Sequence, residues 1–334
     1  MVTRCTLAVD VMSGDFGPRV AVPAALDFST THPDTRLILV GDPLQIEALL
    51  PARYADRFTI EAAESIVSMA EKPSSALRKR KDSSMYRAVK LVADGRADAC
   101  VCAGNTGALM AIGHYLLRMH PGIDRPAIST AIPTRTGHCY MLDLGANVDC
   151  SAEHLFQFAL MGSSLAEALD GLEAPRVALL NVGVEELKGN EQVKLASRLL
   201  QEHAALNYIG YIEGNDIYSG RADVVVCDGF VGNVALKSSE GVARLIAEQL
   251  RQAFTSSWYR KCVGLLARPI LNQFRQDLDP SRRNGASLLG LQGIVVKSHG
   301  SATRECFVHA IAQAQAEVQR DVTGLINEKL GQIL

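Results

Sequence analysis

The chain has 334 residues, 48% of them hydrophobic, which is enough for a large buried core, and only 5% aromatic. Its formal net charge is −2, so no overall basic field exists to hold nucleic acid, and that partner class is set aside. Length alone permits two domains, but single α/β units of this size are common.

The N-terminus, Met1 to Asp10, goes straight into a strand pattern. Its apolar stretch is short and broken early by Asp10, unlike a signal peptide. No run approaches the ~18 uninterrupted apolar residues of a membrane span, so a cytoplasmic location is expected. Thr6–Asp10 reads as a strand, with Pro18 in the first turn of the following helix. Arg36–Gly41 is a second strand, followed by Asp42-Pro43 as N-cap and first-turn pair. Phe58–Ala62 is a third. Asp82-Ser-Ser begins a helix that runs towards Gly95. Ala99–Ala103 is a strand and Ala108–Met119 helical; Ile128–Ile132 and Cys139–Asp143, separated by Pro-Thr-Arg-Thr-Gly, form a hairpin. Ser151 caps a long helix to about Leu169.

The second half repeats the theme: Val177–Asn181 then a helix over Glu191–His203, a strand at Tyr208–Glu213, and Asp223–Cys227 then a helix over Asn233–Leu250. Ile294–Lys297 is a late strand, and a helical tail runs from Thr303. Strands alternating with helices imply a mainly parallel sheet covered on both faces. Phe254–Leu278 stands apart. It holds the only tryptophan and mixes bulky apolar residues with Arg260, Lys261 and Arg268, a composition that suits a surface helical hairpin, a dimer contact or core packing alike.

The eight cysteines sit mostly inside apolar runs, as reduced buried thiols do. Cys100-Val-Cys102 is the only close pair, and alternation puts both on one strand face. No second pair lies at zinc-ligand spacing, and no metal site is expected.

Five times an apolar run breaks into a short loop rich in Gly, Asn or Asp before a helical stretch: Asp10–Asp15, Ala103–Ala108, Asp143–Asn147, Asn181–Gly189 and Asp228–Asn233. In a parallel sheet such loops gather at the carboxyl ends of the strands, where free backbone N–H groups and helix dipoles favour an anion. One crevice collecting all five is expected. Gly104-Asn-Thr-Gly107 is neither a Walker loop nor a dinucleotide fingerprint, so it reads as a phosphate cradle or as a plain tight turn. Lys188 suits an anionic substrate, although Glu185 is placed to pair with it across the turn. Asn233 lies near a helix start, where capping is the plain role. His299 has the chemistry of a general base; a structural histidine is the plainer reading. Arg78–Lys81 is a basic run, by default a solvated helix face. No Gly-x-Ser-x-Gly elbow and no thiol in an electropositive loop appears, which favours direct transfer over an acyl-enzyme.

Taken together and in order, these segments resemble the bacterial phosphate acyltransferases of phospholipid synthesis over nearly the whole chain. The motifs are Val9–Pro18, Arg80–Met85, Ala103–Ala108, Met141–Asn147, Asn181–Gly189, Glu213–Ile217, Cys227–Asn233, Leu288–Gly293 and Lys297–Ser301. Two loops differ from the family: Ser13-Gly14 stands for Gly-Gly, and Arg283–Ser287 for a Tyr-Gly-Gly-Ala-Pro run. The resemblance implies transfer of a long-chain acyl group from acyl-acyl carrier protein to inorganic phosphate. It implies no cofactor, and a three-layer α/β/α sandwich similar to the isocitrate/isopropylmalate dehydrogenase type. The chain would then be one domain over 1–334, with a protruding helical hairpin at 251–283. Lys188 and Asn233 match residues implicated in catalysis. Substrate binding is expected at Asp10, Gly104, Asn105, Thr106, Gly107, Asn147, Asn181, Asn215 and His299. The resemblance further implies a homodimer, peripheral contact with the inner face of the cell membrane through Trp258, Leu265 and Leu266, and a downstream glycerol-3-phosphate acyltransferase as partner. A short-chain acyl-CoA phosphotransacylase, an NAD- and metal-dependent hydroxyacid dehydrogenase of similar fold, and a non-enzymatic carrier-protein or lipid-binding scaffold stay open as alternatives.

Overall fold

The computed structural model describes residues 5–278 and 284–333. Its first unit is β1 (Thr6–Asp10), α1 (Pro18–Thr31), β2 (Arg36–Gly41), the short α2 (Pro43–Glu47), β3 (Phe58–Ala62), α3 (Pro73–Lys79) and α4 (Ser84–Ala93). Next come β4 (Ala99–Cys102), α5 (Thr106–Leu117), the hairpin β5 (Ala127–Thr134) and β6 (Gly137–Leu142), and α6 (Ala152–Asp170). The chain then builds β7 (Arg176–Leu180), α7 (Glu191–Glu202), β8 (Asn207–Ile212), β9 (Val224–Val226), α8 (Gly229–Thr255) and α9 (Trp258–Leu278). It ends with β10 (Ala286–Leu289), β11 (Ile294–Lys297), α10 (Arg304–Gln319) and α11 (Val322–Ile333).

Expected start signals act as read. Asp42 caps α2 by accepting from the Leu44 N–H at 3.0 Å, and Ser83 caps α4 through the Tyr86 N–H. Ser151 and His154 form a reciprocal capping box on α6. α3 and β10 escaped the sequence reading because each is too short to show a period.

The eleven strands make one sheet in the order β3-β2-β1-β4-β11-β10-β5-β6-β9-β7-β8. β1 to β4, β11 and their partners pair in parallel, and so do β6, β9, β7 and β8. Between these blocks, β10 and β5 pair antiparallel to their neighbours. The two parallel blocks therefore run in opposite senses. The hairpin was legible in the sequence, but its consequence corrects the single-crevice expectation: the five loops leave the sheet as two groups, not one.

Alternation assigns each strand to two layers. Ala8, Cys100 and Cys102 join the core beneath α4 and α5, while Leu7, Val9 and Val101 pack beneath α1 and α10. Leu142, Val177 and Val226 pack beneath α6, α7 and α11. The result is an α/β/α sandwich. α8, 27 residues long and so about 40 Å, starts at β9 and runs out of the body. It turns at Ser256-Ser257 into α9, which packs back on it; Phe254 meets Gly264 there. The far end of the expected hairpin, 279–283, and the departure at Arg283 lie outside the described residues.

Candidate active site

The first loop group forms around Asp10 at the end of β1. Its buried carboxylate accepts from the Met12 and Ser13 N–H groups at 3.1 and 3.2 Å, and from the Ser13 hydroxyl and the Cys102 thiol. The Ser13 hydroxyl thus adds a donor to the loop. Asp15 and Ser298 donate to the Gly300 and Cys102 carbonyls at 2.8 and 2.9 Å, which ties the segment after β11 to both. Asn105 caps α5 through the Ala108 N–H at 3.0 Å, and its amide donates to the carbonyls of Ser68, Met69 and Glu71. That carboxamide closes a loop rather than facing out. Gly104 is buried against Ser13, while Thr106 and Gly107, half-buried, open the helix.

His299 is exposed at this end. The Ser301 N–H donates to its Nδ1 at 3.2 Å, so the neutral ring carries its proton on Nε2. Partial burial holds its pKa below the usual value, helped by the nearby Lys237 ammonium. Lys297, missed as a site residue, is buried, and desolvation pulls its pKa down. Its ammonium donates to the Ala103 and Ser298 carbonyls. A charged residue ending the apolar run Ile294–Lys297 was the available signal.

The second group forms at the ends of β6, β9, β7 and β8. Asp143 is fully buried, and burial pushes its carboxyl up against the pull of its donors. Those donors are the N–H groups of Ile128, Ala146 and Asn147 and the Asn147 amide, between 2.6 and 3.0 Å. The Asn147 amide also donates to the Pro126 carbonyl at 2.8 Å, so both residues are spent on the turn. Gly232 lies against it: a Cβ there would stand 1.8 Å from the Asp143 carbonyl oxygen, which only glycine avoids.

That contact lets α8 start close to the turn and brings Asn233 beside Gly145. Asn233 is not the cap, since Asp228 accepts from the Val231 N–H at 2.8 Å. It stands on the second turn, exposed, and among the described residues its carboxamide has no protein partner. On the neighbouring loop, the Asn181 amide donates to the Gly183 and Lys188 carbonyls, both at 3.1 Å. Lys188 is exposed, and its ammonium pairs with Glu185 at 2.9 Å, which raises its pKa with a smaller contribution from Glu213 across the loop. Asn215 is exposed on the loop after β8, with no side-chain capping bond.

Asp10, the Gly104–Gly107 loop and His299 thus gather in one group, and Asn147, Asn181, Lys188, Asn215 and Asn233 in the other, where α8 starts. No cluster of His, Cys, Asp and Glu able to hold a metal exists among the described residues.

Lys188 and Asn233 thus follow the adjacent parallel strands β7 and β9 of an α/β/α sandwich. The profile described as "fatty acid synthesis protein" matches residues 5–325, and the chain belongs to that family. A phosphate acyltransferase of Pseudomonas paraeruginosa is 55% identical over 98% of both chains. Among solved structures, a phosphotransacetylase from Streptococcus pyogenes superposes with a TM-score of 0.64 over 95% of both chains at 18% identity. A 4-hydroxythreonine-4-phosphate dehydrogenase from Klebsiella pneumoniae reaches 0.56 over 96% of this chain and 99% of its own, at 13% identity. These two likenesses establish the dehydrogenase-like fold only.

Proposed function

We propose that the chain transfers a long-chain acyl group from acyl-acyl carrier protein to inorganic phosphate, with Lys188 and Asn233 at the reacting centre. Acyl transfer to phosphate for phospholipid synthesis rests on the near-full-length identity to phosphate acyltransferases and on family membership. The observation that carries the site is a contrast. Asn105, Asn147 and Asn181 spend their amides inside the protein, whereas Asn233 and two of the three Lys188 ammonium donors remain for a ligand.

Hydrogen phosphate needs no strong base to attack a thioester. Its oxygen forms the new C–O bond, the C–S bond breaks with its electron pair going to sulfur, and the phosphate proton ends on the departing thiol. A thiol of pKa ~8.5 leaves with little acid help. The protein must orient the reactants and stabilise the oxyanion. The Asn233 amide donates to the thioester oxygen, and the Lys188 ammonium neutralises the charge that develops there. His299 and the Gly104–Gly107 loop bind phosphate, with Asp10 holding that loop group in shape. No cofactor enters this reaction.

We assign the remaining partners from exposed surface. α9 presents Trp258, Leu265, Leu266 and Ile270, 79%, 68%, 83% and 74% exposed, beside Arg260, Lys261 and Arg268. This composition fits a lipid surface. No helix among the described residues is long and apolar enough to cross a membrane. Peripheral association with the inner face of the cell membrane, a homodimer and delivery to a glycerol-3-phosphate acyltransferase complete the reading. Incubation with long-chain acyl-acyl carrier protein and phosphate should give a hydroxylamine-trappable acyl phosphate. Preference for short-chain acyl-CoA would overturn the donor, and carrier binding without turnover the enzyme.

A further inference from the structure

His299 sits where the chain leaves the sheet. Ser298 still belongs to it, since its N–H donates to the Cys102 carbonyl at the end of β4, at 2.9 Å. The His299 N–H finds no backbone acceptor among the described residues. It donates instead to the Asn284 Oδ1 at 3.0 Å. The amide of the same side chain donates to the Ser298 hydroxyl and to the Cys306 carbonyl in the first turn of α10, both at 2.8 Å. One carboxamide thus spends its acceptor and both of its donors on fastening residues 298 and 299 to α10.

That carboxamide is held by these bonds more than by packing. Asn284 is half-buried, and with Gly285 it lines a cavity of about 310 Å³ beside β5, β10 and α10. The imidazole in turn follows the backbone. The Ser301 N–H and hydroxyl both donate to its Nδ1, at 3.2 and 2.9 Å, and the Ala302 N–H closes the turn on the His299 carbonyl at 3.1 Å. The ring is therefore fixed within its turn, with Nε2–H left for a ligand. The turn itself is tied at its far end by the Asp15 N–H on the Gly300 carbonyl, at 2.8 Å, and at its near end by Asn284.

We propose that Asn284 is a positioning residue of the phosphate site, which holds the His299 imidazole where its Nε2–H donates to the phosphate nucleophile. Asn284 touches no substrate and acts only through His299. The inference rests on the assignment of His299 to phosphate binding. Without the carboxamide, water takes the His299 N–H and the near end of the turn samples other positions. The apparent affinity for phosphate then falls in proportion to the fraction of molecules with the ring in place.

Steady-state kinetics on the full chain, varying phosphate and acyl-acyl carrier protein separately, test this. In Asn284→Ala the KM for phosphate should rise roughly 5–20-fold, as the loss of neutral hydrogen bonds predicts, while kcat and the carrier KM stay within about twofold. Ser298→Ala removes one of the three bonds and should act in the same direction by roughly 2–5-fold. A double-mutant cycle with His299→Ala separates positioning from plain structural support. Once the ring is gone, Asn284→Ala should change the phosphate KM less than about twofold further. Full additivity overturns the proposal, and so does a parallel rise in both KM values, which marks a loop loosened as a whole. A raised phosphate KM in His299→Ala with none in Asn284→Ala sinks the positioning role alone. An unchanged phosphate KM in His299→Ala removes the imidazole from the phosphate site, and with it the underlying assignment.

Discussion

Asn147 ends the loop after β6 and Asn233 lies on α8, which starts against that loop, yet they do opposite work. The Asn147 amide is locked between the Pro126 carbonyl and the Asp143 carboxylate, so it holds the turn. Asn233, on the second turn of α8, faces Gly145 with its carboxamide unpaired among the described residues. A carboxamide after a strand is therefore no sign of binding by itself. What distinguishes the two is whether the backbone has already claimed the amide.

The largest effect should come from breaking the locked side. Asp143→Ala strands the Ile128, Ala146 and Asn147 N–H donors in a buried turn, and each orphaned donor costs roughly 1–3 kcal/mol. A loss on the order of 4 kcal/mol in urea denaturation is expected, at the severe end for single substitutions. Asn233→Ala should shift the same midpoint by less than about 0.5 kcal/mol, as surface changes do. Equal losses in the two variants would erase the distinction.

The open side should answer in rate instead. Lys188→Ala is expected to lower turnover roughly 100–1000-fold, the usual cost of one oxyanion donor, with its denaturation midpoint unchanged because its partner Glu185 is itself exposed. A folded variant with near-normal turnover removes Lys188 from the reaction.

Much of this was legible in the sequence for physical reasons. Apolar runs ending in Asp or Asn marked the strand ends, and Ser, Asp and Pro marked helix starts. The reversal of sense between the two parallel blocks was not, because strand direction is set by pairing across β10 and β5, far apart in the chain. The start of α8 was placed too late because Gly229 and Gly232 look like loop residues; they are helical glycines that let the helix approach Asp143.

A third buried carboxyl sharpens the contrast between locked and open groups. Glu317 on α10 has side-chain donors only, the Ser287 hydroxyl and the Gln313 amide, and burial pushes it from 4.5 up to about 7. Because the folded value is the higher, the native state holds the extra proton between about pH 4.5 and 7. Its neutral form costs nothing below that window, and stability falls as pH rises through it. Glu317→Gln keeps both contacts and removes the charge, so it should stabilise the protein at pH 8 by up to roughly 3 kcal/mol and have little effect at pH 4.5. A gain of the same size at both pH values would show that repacking, not ionisation, is responsible.

The smallest effect on the folded body should come from the exposed face of α9. Leu265 and Leu266 are exposed on α9, so Leu265→Glu with Leu266→Glu should leave the denaturation midpoint and turnover in solution unchanged. Each leucine buried in lipid is worth about 1.5–3 kcal/mol, and two new carboxylates oppose an anionic surface that otherwise attracts Arg260, Lys261 and Arg268 at about 1 kcal/mol each. Co-sedimentation with phosphatidylglycerol-containing vesicles should therefore fall more than tenfold. If pelleting persists while dissociation of the protein into smaller species appears on sedimentation velocity, the apolar stripe of α9 covers a second copy of the chain instead of lipid.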